Sequence, residues 1–304
     1  MGVIFSILFY ALFFLVLPFY LGGLIEKVKA LMAGRKGRPL FQPYHDCLKL
    51  LRKSAVKSTT ASPVSDWAPV VSLAAVITAG LLIPLAGRRV LPGFPGDFVL
   101  FLYLLALARF ALILNAWDVG SSFEGMGAAR EALYGLLAEP IFFVLLGTLT
   151  LMTGDASFAG WQEIIRHASQ LGIPLVLGGG FLLFVLLLTE GCRVPFDDPN
   201  THLELTMVHE VMILDNSGPD LALLIYGGYL KITIWASLIA GIFVKVNSIW
   251  PALGVYLAVV SCVAVLVGLV ESVMARLRLQ IVPQLLLAVT GLALVLFITV
   301  LVRE

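Results

Sequence analysis

Long runs of apolar residues recur along the whole chain and are separated by short polar segments. Each run has about 17 to 25 residues, the length that an α-helix needs to cross the hydrocarbon core of a bilayer. The runs lack the alternation of barrel strands, and a chain in lipid must satisfy its backbone hydrogen bonds internally. The pattern predicts an all-α integral membrane protein with about eight transmembrane helices, near residues 3–22, 68–87, 97–115, 132–153, 174–192, 222–244, 250–271 and 282–302.

Composition supports a membrane protein and gives no sign of a second domain. Of the 304 residues, 60% are hydrophobic and 13% are charged, which is too little polar surface to cover a water-soluble globule. Twenty basic residues nearly balance nineteen acidic ones, so no excess charge points to a nucleic acid partner. We expect residues 1–304 to form a single membrane domain, with the first span retained because no positive residue precedes it.

The loop after the first span is strongly basic. The positive-inside rule places such a loop in the cytoplasm, and an even number of spans then leaves both termini outside. The cytoplasmic loops would cover about residues 23–67, 116–131, 190–221 and 272–281, in a multi-pass protein of the inner (cytoplasmic) membrane. The basic residues of the first loop are Lys27, Lys29, Arg35, Lys36, Arg38, Lys49, Arg52, Lys53 and Lys57.

The same loop is predicted to contain a short amphipathic helix. Its apolar residues recur every three or four positions, with charged residues between them. Such a helix either lies at the lipid interface with its basic side chains near anionic headgroups, or forms one wall of a docking or lipid-quinone site. The apolar face would comprise Phe41, Tyr44, Leu48 and Leu51, and the polar face Asp46, Lys49, Arg52 and Lys53.

Charged residues also fall at membrane depth. Glu139 follows Glu131 by about two helical turns, so both carboxylates lie on nearly the same face. A carboxylate at that depth is costly, which favours a role in proton relay over the alternative of a structural hydrogen bond between helices. Arg109 and Lys231 lie inside predicted spans, and we expect each to find an acidic partner in the bundle.

An acidic segment from Glu190 to Asp220 is predicted to face the cytoplasm. Asp198 followed by Pro199 is typical of a helix N-terminus, and an apolar stripe then continues to the turn at residues 216–219, which predicts an ordered amphipathic helix. The stripe is formed by Leu203, Met207, Val211 and Leu214, and the carboxylates of the segment are Glu190, Asp197, Asp198, Glu204, Glu210, Asp215 and Asp220.

The polar side of this segment offers His202, Glu204, His209 and Glu210, whose pKa values burial can move toward neutrality. Their spacing is not that of an H-E-x-x-H zinc site, so we expect no metal here. A chain of carboxylates that passes protons into the membrane is the favoured interpretation, and a solvated acidic loop is the alternative.

The three cysteines give no redox centre to this chain. Cys47, Cys192 and Cys262 are far apart in sequence and form no C-x-x-C pair, so they cannot build an iron–sulfur cluster or a structural zinc site. We expect this chain to bind no cofactor, and any redox centre to belong to a partner.

Three segments have distinctive sequences outside the acidic loop. In the first loop, Gly34 to Pro39 is followed by the run FQPYHDCLKLL. Residues 127–131 read GAARE just before the fourth predicted span, and residues 271–278 read ESVMARLR in the last cytoplasmic loop.

With these segments, the PFDDP of residues 195–199, the carboxylate of Glu204 and the DNSGP turn of residues 215–219 resemble the NADH dehydrogenase subunit 1 family of respiratory complex I. The likeness is stronger to its relatives in formate hydrogenlyase and other energy-converting, group 4 nickel–iron hydrogenases. It extends over nearly the whole chain.

The resemblance implies a subunit at the junction between a peripheral electron-transfer arm and antiporter-like membrane subunits. Its implied partners are hydrogenase-like large and small subunits, with iron–sulfur clusters and, if retained, nickel–iron; quinone is a further candidate ligand. The implied proton pathway comprises Glu131, Glu139, Glu190, Glu204, Glu210 and Asp215, and the implied peripheral-arm interface Arg35, Arg38, Arg193, Asp197, Asp198, Arg276 and Arg278.

The chain departs from the complex I pattern P-F-D-L-P-E-A-E-x-E-L in its acidic segment. Asn200 and His202 stand where that pattern has two carboxylates, and about three extra residues, including His209 and Glu210, follow Glu204. These differences favour a hydrogenase-related branch over a quinone-site subunit of a complex I-type enzyme.

Two other classes of protein are alternatives. An intramembrane prenyltransferase would use Asp197 and Asp198 as part of a magnesium-binding motif, but a second such motif is required and Asp215 to Asp220 is poorly spaced for one. A self-contained transporter would show internal repeats, and the two halves of this sequence show none.

Overall fold

The computed structural model describes residues 2–86, 89–158, 173–198, 206–243 and 249–302. In these ranges the regular secondary structure is helical and no β-strand forms, which confirms the all-α prediction. In chain order the helices are α1 (Gly2–Leu15), α2 (Leu17–Met32), α3 (Gln42–Leu51), α4 (Val64–Leu82), α5 (Asp97–Asp118), α6 (Ser122–Thr153), α7 (Ile173–Glu190), α8 (His209–Met212), α9 (Gly218–Phe243), α10 (Ile249–Val273) and α11 (Ile281–Leu301).

Seven helical stretches of the described chain are long and apolar enough to cross a membrane. One of them joins α1 to α2 through Val16, where Pro18 in the first turn of α2 lacks a backbone donor. The others are α4, α5, α6, α9, α10 and α11. The fifth predicted span coincides with α7, whose 18 residues make about 27 Å of helix. Each of the eight predicted spans therefore coincides with a helix.

Two helices extend well beyond the apolar runs that predicted them. α2 continues to Met32, whereas the first span was predicted to end near residue 22, and α6 begins at Ser122 rather than near residue 132. The added residues are rich in alanine, glutamate, lysine and arginine, which favour helix without being apolar. The apolar run shows where a helix leaves the hydrocarbon core, and α2 and α6 both continue beyond that point.

Helix α9 is the centre of the bundle and packs against α2, α3, α4, α7 and α10. Its residue Trp235 is fully buried, and its ring makes edge contacts with Phe101 of α5 and Phe142 of α6 at centroid distances of 6.1 and 5.1 Å. These aromatic contacts join three helices in the half of the membrane away from the acidic segment.

The loops predicted to be cytoplasmic contact one another. Ser217, just before α9, exchanges two hydrogen bonds with the backbone of Val56 in the first loop, at 2.6 and 2.7 Å. Thr60 in that loop donates a hydrogen bond to the carbonyl of Val119, between α5 and α6, at 2.8 Å. The three loops therefore share one face of the bundle, as predicted.

The last loop joins the same face, because the Leu277 amide donates to the carbonyl of Pro195 at 3.0 Å. At the other end of the bundle, the Gly96 amide donates to the carbonyl of Ala156 at 2.7 Å. The alternation of loops between two faces agrees with the predicted topology, and the assignment of the basic face to the cytoplasm stays a prediction.

The acidic segment does not form the long amphipathic helix that was predicted. Residues 199–205, which include Glu204 and His202, lie outside the described residues, and residues 206–208 are not helical. Beyond them the described segment contains the single helical turn α8, and Leu214 of the predicted apolar stripe is exposed. The physical reason is that the Asp197 carboxylate takes the place of a backbone acceptor, as described below.

Helix α3 forms where predicted, but its buried side differs from the predicted apolar face. Pro43 and Cys47 are buried, whereas Phe41, Tyr44 and Leu51 are exposed. The first-loop helix therefore packs on α2 and α9 through Pro43 and Cys47, and the Tyr44 ring also contacts Phe19 of α2 at a centroid distance of 5.4 Å.

Candidate functional site

Arg109 on α5 is buried and surrounded by carboxylates from two other helices. Its Nη1 donates a hydrogen bond to Glu139 Oε1 at 2.8 Å, and its Nη2 donates to Glu190 Oε1 at the end of α7. Glu131 Oε1 lies 3.7 Å from its Nε. The acidic partner predicted for Arg109 is therefore confirmed, and these four residues are called the Arg109 cluster.

Helix α6 positions two of the three carboxylates. Glu131 and Glu139 are about two turns apart on one face, as predicted, and Gly135 lies between them on that face. A Cβ at Gly135 would lie 2.1 Å from Arg109 Nη1. The glycine thus leaves the space that the guanidinium occupies between the two carboxylates.

The cluster has more negative than positive charge. Lys231 on α9 is buried and interacts electrostatically with Glu131, which is an acidic partner in the bundle as predicted, although no carboxylate of the described chain lies within 4 Å of its amine. Three carboxylates face two cations. Because an uncompensated charge in a low-dielectric interior is costly, the excess of carboxylates makes this group a place where a proton can bind.

A cavity of about 160 Å³ opens beside the cluster on the face that carries the acidic segment. We call it the entrance cavity. Its charged and polar lining comes from α2, from the turn after α7, from α8 and from α9, with apolar residues filling the rest. The lining residues are Glu26, Gly191, Cys192, Arg193, Asp197, His209, Glu210, Ile213, Ile225, Gly228, Tyr229 and Ile232.

A smaller cavity of about 40 Å³, here called the inner cavity, lies next to it and is lined by Glu190 and Lys231. That volume is enough for a water molecule. The two cavities share four lining residues, which are Gly191, Cys192, His209 and Gly228. The two cavities therefore adjoin, and Glu190 in the lining of the inner cavity belongs to the Arg109 cluster.

Asp197 holds the outer wall of the entrance cavity. Its Oδ2 accepts hydrogen bonds from the amides of Val208 and His209 at 3.1 and 2.9 Å, and its Oδ1 pairs with Arg276 at 3.1 Å. Arg276 also donates to the carbonyl of Thr206. Burial raises the pKa of the Asp197 carboxyl, and the amide donors and Arg276 act in the opposite direction.

A second buried carboxylate ties the same region to two helices. Glu271 on α10 pairs with Lys29 of α2 at 2.7 Å and with Arg193 at 3.3 Å. Its side chain has no exposed surface. The turn after α7 is therefore held by two ion pairs, one from Arg193 to Glu271 of α10 and the other from Asp197 to Arg276.

The structure brings part of the predicted proton pathway together. Glu131, Glu139 and Glu190 form the Arg109 cluster, and Glu210 lines the entrance cavity. Asp215 is exposed outside both cavities, where its amide donates to Glu124 Oε1 at 3.1 Å. Glu204 lies outside the described residues.

The residues predicted to meet a peripheral arm fall into two groups. Arg35, Arg38 and Arg278 are exposed, and Asp198 and Arg276 are partly buried. Arg193 and Asp197 are buried and bound within the chain, as described above. A contact of any of these seven residues with a partner stays a prediction.

Sequence reasoning missed Glu26, Glu124 and the pair of Lys29 with Glu271. Glu26 and Lys29 were assigned to a loop, yet both lie on the extended part of α2, three residues apart and therefore on nearby faces. Glu124 is fully buried on the extended part of α6. The helix-forming composition of those stretches was the signal that could have found them.

Asp197, one of the two aspartates of the possible magnesium-binding motif, is already bound within the chain. Both oxygens of Asp197 are occupied by Arg276 and by backbone amides. Among the described residues, no group of three or more histidine, cysteine, aspartate or glutamate side chains could hold a metal ion. His202 lies outside the described residues.

Known proteins match this chain over nearly its full length. Formate hydrogenlyase subunit 4 of Escherichia coli (strain K12) is 30% identical over 99% of both chains. Hydrogenase-4 component C of the same organism is 29% identical over 84% of this chain and 82% of its own length. A chain in the solved structure of the membrane-bound sulfane sulfur reductase, an archaeal respiratory membrane complex, has the same fold, with a TM-score of 0.83, 21% identity and 99% and 100% coverage.

The NADH dehydrogenase family matches residues 5–302. That range includes the Arg109 cluster, both cavities and every transmembrane helix described above. The chain therefore belongs to the NADH dehydrogenase family, that of complex I subunit 1, with formate hydrogenlyase subunit 4 and hydrogenase-4 component C among its relatives.

Proposed function

We propose that this chain is the membrane-anchoring, ion-translocating subunit of an energy-converting complex related to formate hydrogenlyase. In that complex it couples electron transfer in a peripheral arm to the movement of protons, or of sodium ions, across the membrane. The observation that carries the proposal is the Arg109 cluster, whose Glu190 lines the inner cavity next to the entrance cavity.

The chemistry of the cluster suits an exchangeable proton. Arg109 stays protonated at any physiological pH, so the carboxylates are the groups that gain or lose a proton. Glu190 contacts Arg109 through Oε1 and also lines the inner cavity, so it stands between the cavity and the remaining carboxylates. Protonation of Glu190 would weaken its pair with Arg109 and leave the guanidinium to Glu139, so the charge states of the two carboxylates are coupled through the side chain that both bind.

Coupling to a partner would be electrostatic. A negative charge that arrives on a redox centre near the entrance cavity raises the proton affinity of Glu210, Asp197 and Glu190, and its departure lowers that affinity again. Alternating affinity of this kind takes up protons at one stage of the redox cycle and releases them at another. The redox centre, with iron–sulfur clusters and nickel–iron, would belong to large and small partner subunits bound at the face that carries Arg35, Arg38 and Arg278.

The names of the relatives support this proposal, because one is a subunit of formate hydrogenlyase and the other a component of hydrogenase-4. Antiporter-like membrane subunits would continue the ion path beyond Glu139, whose side chain is 36% exposed at the edge of the bundle. The chain would anchor the complex in the cytoplasmic membrane.

A carboxylate-to-amide series tests the proposal. The complex that co-purifies with this chain is reconstituted in vesicles, driven with reduced methyl viologen, and assayed for hydrogen evolution and for proton uptake with a pH-sensitive dye. Glu190→Gln and Glu131→Gln should lower proton uptake per hydrogen by at least about tenfold, because the amide cannot carry the proton. Asp66→Asn, which alters an exposed carboxylate at the start of α4, should change nothing.

Two results would overturn the proposal. One is normal proton uptake in both glutamine variants, with the same yield of assembled complex as the wild type. The other is purification of this chain alone and monodisperse from mild detergent. Uptake that persists when sodium is replaced by potassium assigns the ion as the proton, and uptake that needs sodium assigns sodium.

A quinone-site subunit of a complex I-type oxidoreductase is the second candidate. The observation that favours it is the exposed apolar side of α3 at the level of the first loop, where Phe41 and Leu51 are exposed and the exposed Tyr44 ring lies against Phe19 of α2. Reduction of a short-chain quinone by the purified complex, lost in a Tyr44→Ala variant, would support this candidate over the first.

A further inference from the structure

The wall between the two cavities is thin and contains one histidine. Of the four residues that line both cavities, Gly191 and Gly228 have no side chain to carry a proton, which leaves Cys192 and His209. Burial raises the pKa of the Cys192 thiol well above its usual value, so this group keeps its proton. His209 is therefore the shared residue with a side chain suited to pass protons.

The backbone amide of His209 is hydrogen-bonded, whereas one nitrogen of its ring has no hydrogen-bond partner among the described residues. The His209 amide donates to Asp197 Oδ2 at 2.9 Å, which holds α8 against the cavity wall. Its ring atom Nδ1 is shielded from the surface and has no hydrogen-bond partner among the described residues. This nitrogen is available to a water molecule or a carboxylate in the cavities.

The surroundings of His209 keep the ring neutral. Burial lowers its pKa from 6.5 to about 3, and the positive charges of Lys231 and Arg193 act in the same direction. A neutral imidazole has one N–H donor and one nitrogen acceptor. It can therefore take a proton on one nitrogen while releasing the proton of the other, and it holds no net charge before or after the transfer.

We propose that His209 is the proton-relay residue that connects the entrance cavity to the inner cavity. A donor in the entrance cavity, Glu210 or water, gives a proton to one ring nitrogen, and the other nitrogen gives its proton to water or Glu190 in the inner cavity. A turn of the ring, or a shift of the proton between tautomers, then restores the starting state. The inference rests on the proposed function and names the step by which protons reach the Arg109 cluster.

Chemical rescue tests this step. In the reconstituted complex, His209→Ala should lower the rate of proton uptake by on the order of 10²-fold, within the range that a proton-transferring side chain contributes. Added imidazole should restore uptake, because it supplies the missing ring with both nitrogens. Added 1-methylimidazole should not, since one of its nitrogens cannot carry a proton. His45→Ala, at an exposed histidine on α3, is the matched control and should show neither loss nor rescue.

The outcomes separate the relay from the proposed function. Wild-type uptake in His209→Ala, alongside a loss in Glu190→Gln, would overturn the relay and leave the proposed function standing. Wild-type uptake in both variants would overturn both. Equal rescue by the two imidazoles would show that the ring only fills space, which also overturns the relay. If His209→Ala fails to assemble, His209→Gln replaces it: loss of uptake supports the relay, and wild-type uptake overturns it.

Discussion

Arg109 illustrates how one buried side chain sets the properties of its neighbours. Its guanidinium lies within 4 Å of Glu131, Glu139 and Glu190, and no other cation of the described chain is that close to these carboxylates. Removing the guanidinium would leave Glu139 and Glu190 without their close cation and Glu131 with only the more distant Lys231. Each of these carboxylates would then have to take up a proton or be hydrated by water that enters the bundle.

Replacing Arg109 by alanine should therefore destabilise the chain by about 3–5 kcal/mol, the usual cost of breaking a buried ion pair. A thermal-stability assay of the purified complex measures the change. Arg278→Ala, at an exposed arginine, is the control and should have little effect. The double variant Arg109→Ala with Glu190→Gln should recover part of the loss, because one of the stranded charges is gone. A full loss in the double variant would show that packing, and not charge, is what Arg109 supplies.

His209 should make the α8 region sensitive to acid. Its folded-state pKa of about 3 lies below the ordinary value of 6.5, so between these values the unfolded segment binds a proton that the folded segment does not. The stability of the segment therefore falls as the pH drops from 6.5 toward 3. Asp197 opposes this, since its raised pKa favours the folded segment in acid.

Limited proteolysis at pH 7 and pH 4.5 with an acid-tolerant protease measures the effect. Cleavage in the segment around α8 should increase at pH 4.5 in the wild type and increase much less in His209→Gln. Equal acid sensitivity in the two proteins would assign the effect to other groups.

At the residue scale, the sequence identified the charged residues inside the membrane spans more reliably than it identified the residues that they contact. Arg109 and Glu139 stand out because charges inside apolar runs are rare. The link from Arg109 to Glu190 joins residues 81 positions apart, and no periodicity in the sequence encodes such a contact. The same is true of the pair of Asp197 with Arg276.

Helix α6 and the segment around α8 are in close contact at a glycine. A Cβ at Gly127 would lie 2.3 Å from Val211 Cγ1 and 2.9 Å from the carbonyl oxygen of Val208. Because a backbone atom stands in the way, the segment would have to move as a whole. The entrance cavity would change shape with it.

Gly127→Ala should therefore destabilise the chain by about 1–3 kcal/mol, the usual cost of overpacking. Gly125→Ala is the matched control, since nothing lies within 4 Å of a Cβ there, and it should stabilise α6 by about 0.5–1 kcal/mol. Thermal unfolding of both variants, with hydrogen exchange at the Val208 and His209 amides, measures the difference. Equal effects of the two substitutions would contradict the close contact.

At the scale of elements, the sequence predicted helices well and their ends poorly. The positions of all eight spans follow from hydropathy, because a backbone in lipid has few options. The shortness of α8 depends on a tertiary contact, the binding of the Val208 and His209 amides by Asp197. A side chain that replaces a backbone acceptor cannot be recognised from local propensity.

For the whole molecule, the contacts between loops separate two faces but do not say which faces the cytoplasm. Single cysteines in a background without the three native ones can decide this. Arg35→Cys should react with a membrane-impermeant maleimide only in inverted vesicles, because its loop is basic. Asp155→Cys, in an exposed position at the opposite end, should react only in right-side-out vesicles. The reverse pattern would invert the topology and with it the direction of ion movement.

The last loop has a consequence for how the protein is made. Arg276 and Leu277, which bind Asp197 and the carbonyl of Pro195, come after α10 in the chain. During synthesis, the outer wall of the entrance cavity therefore stays open until α10 has been inserted into the membrane. A ribosome-bound or truncated chain that ends before Arg276 would lack these contacts, so the entrance cavity is completed only when translation is nearly finished.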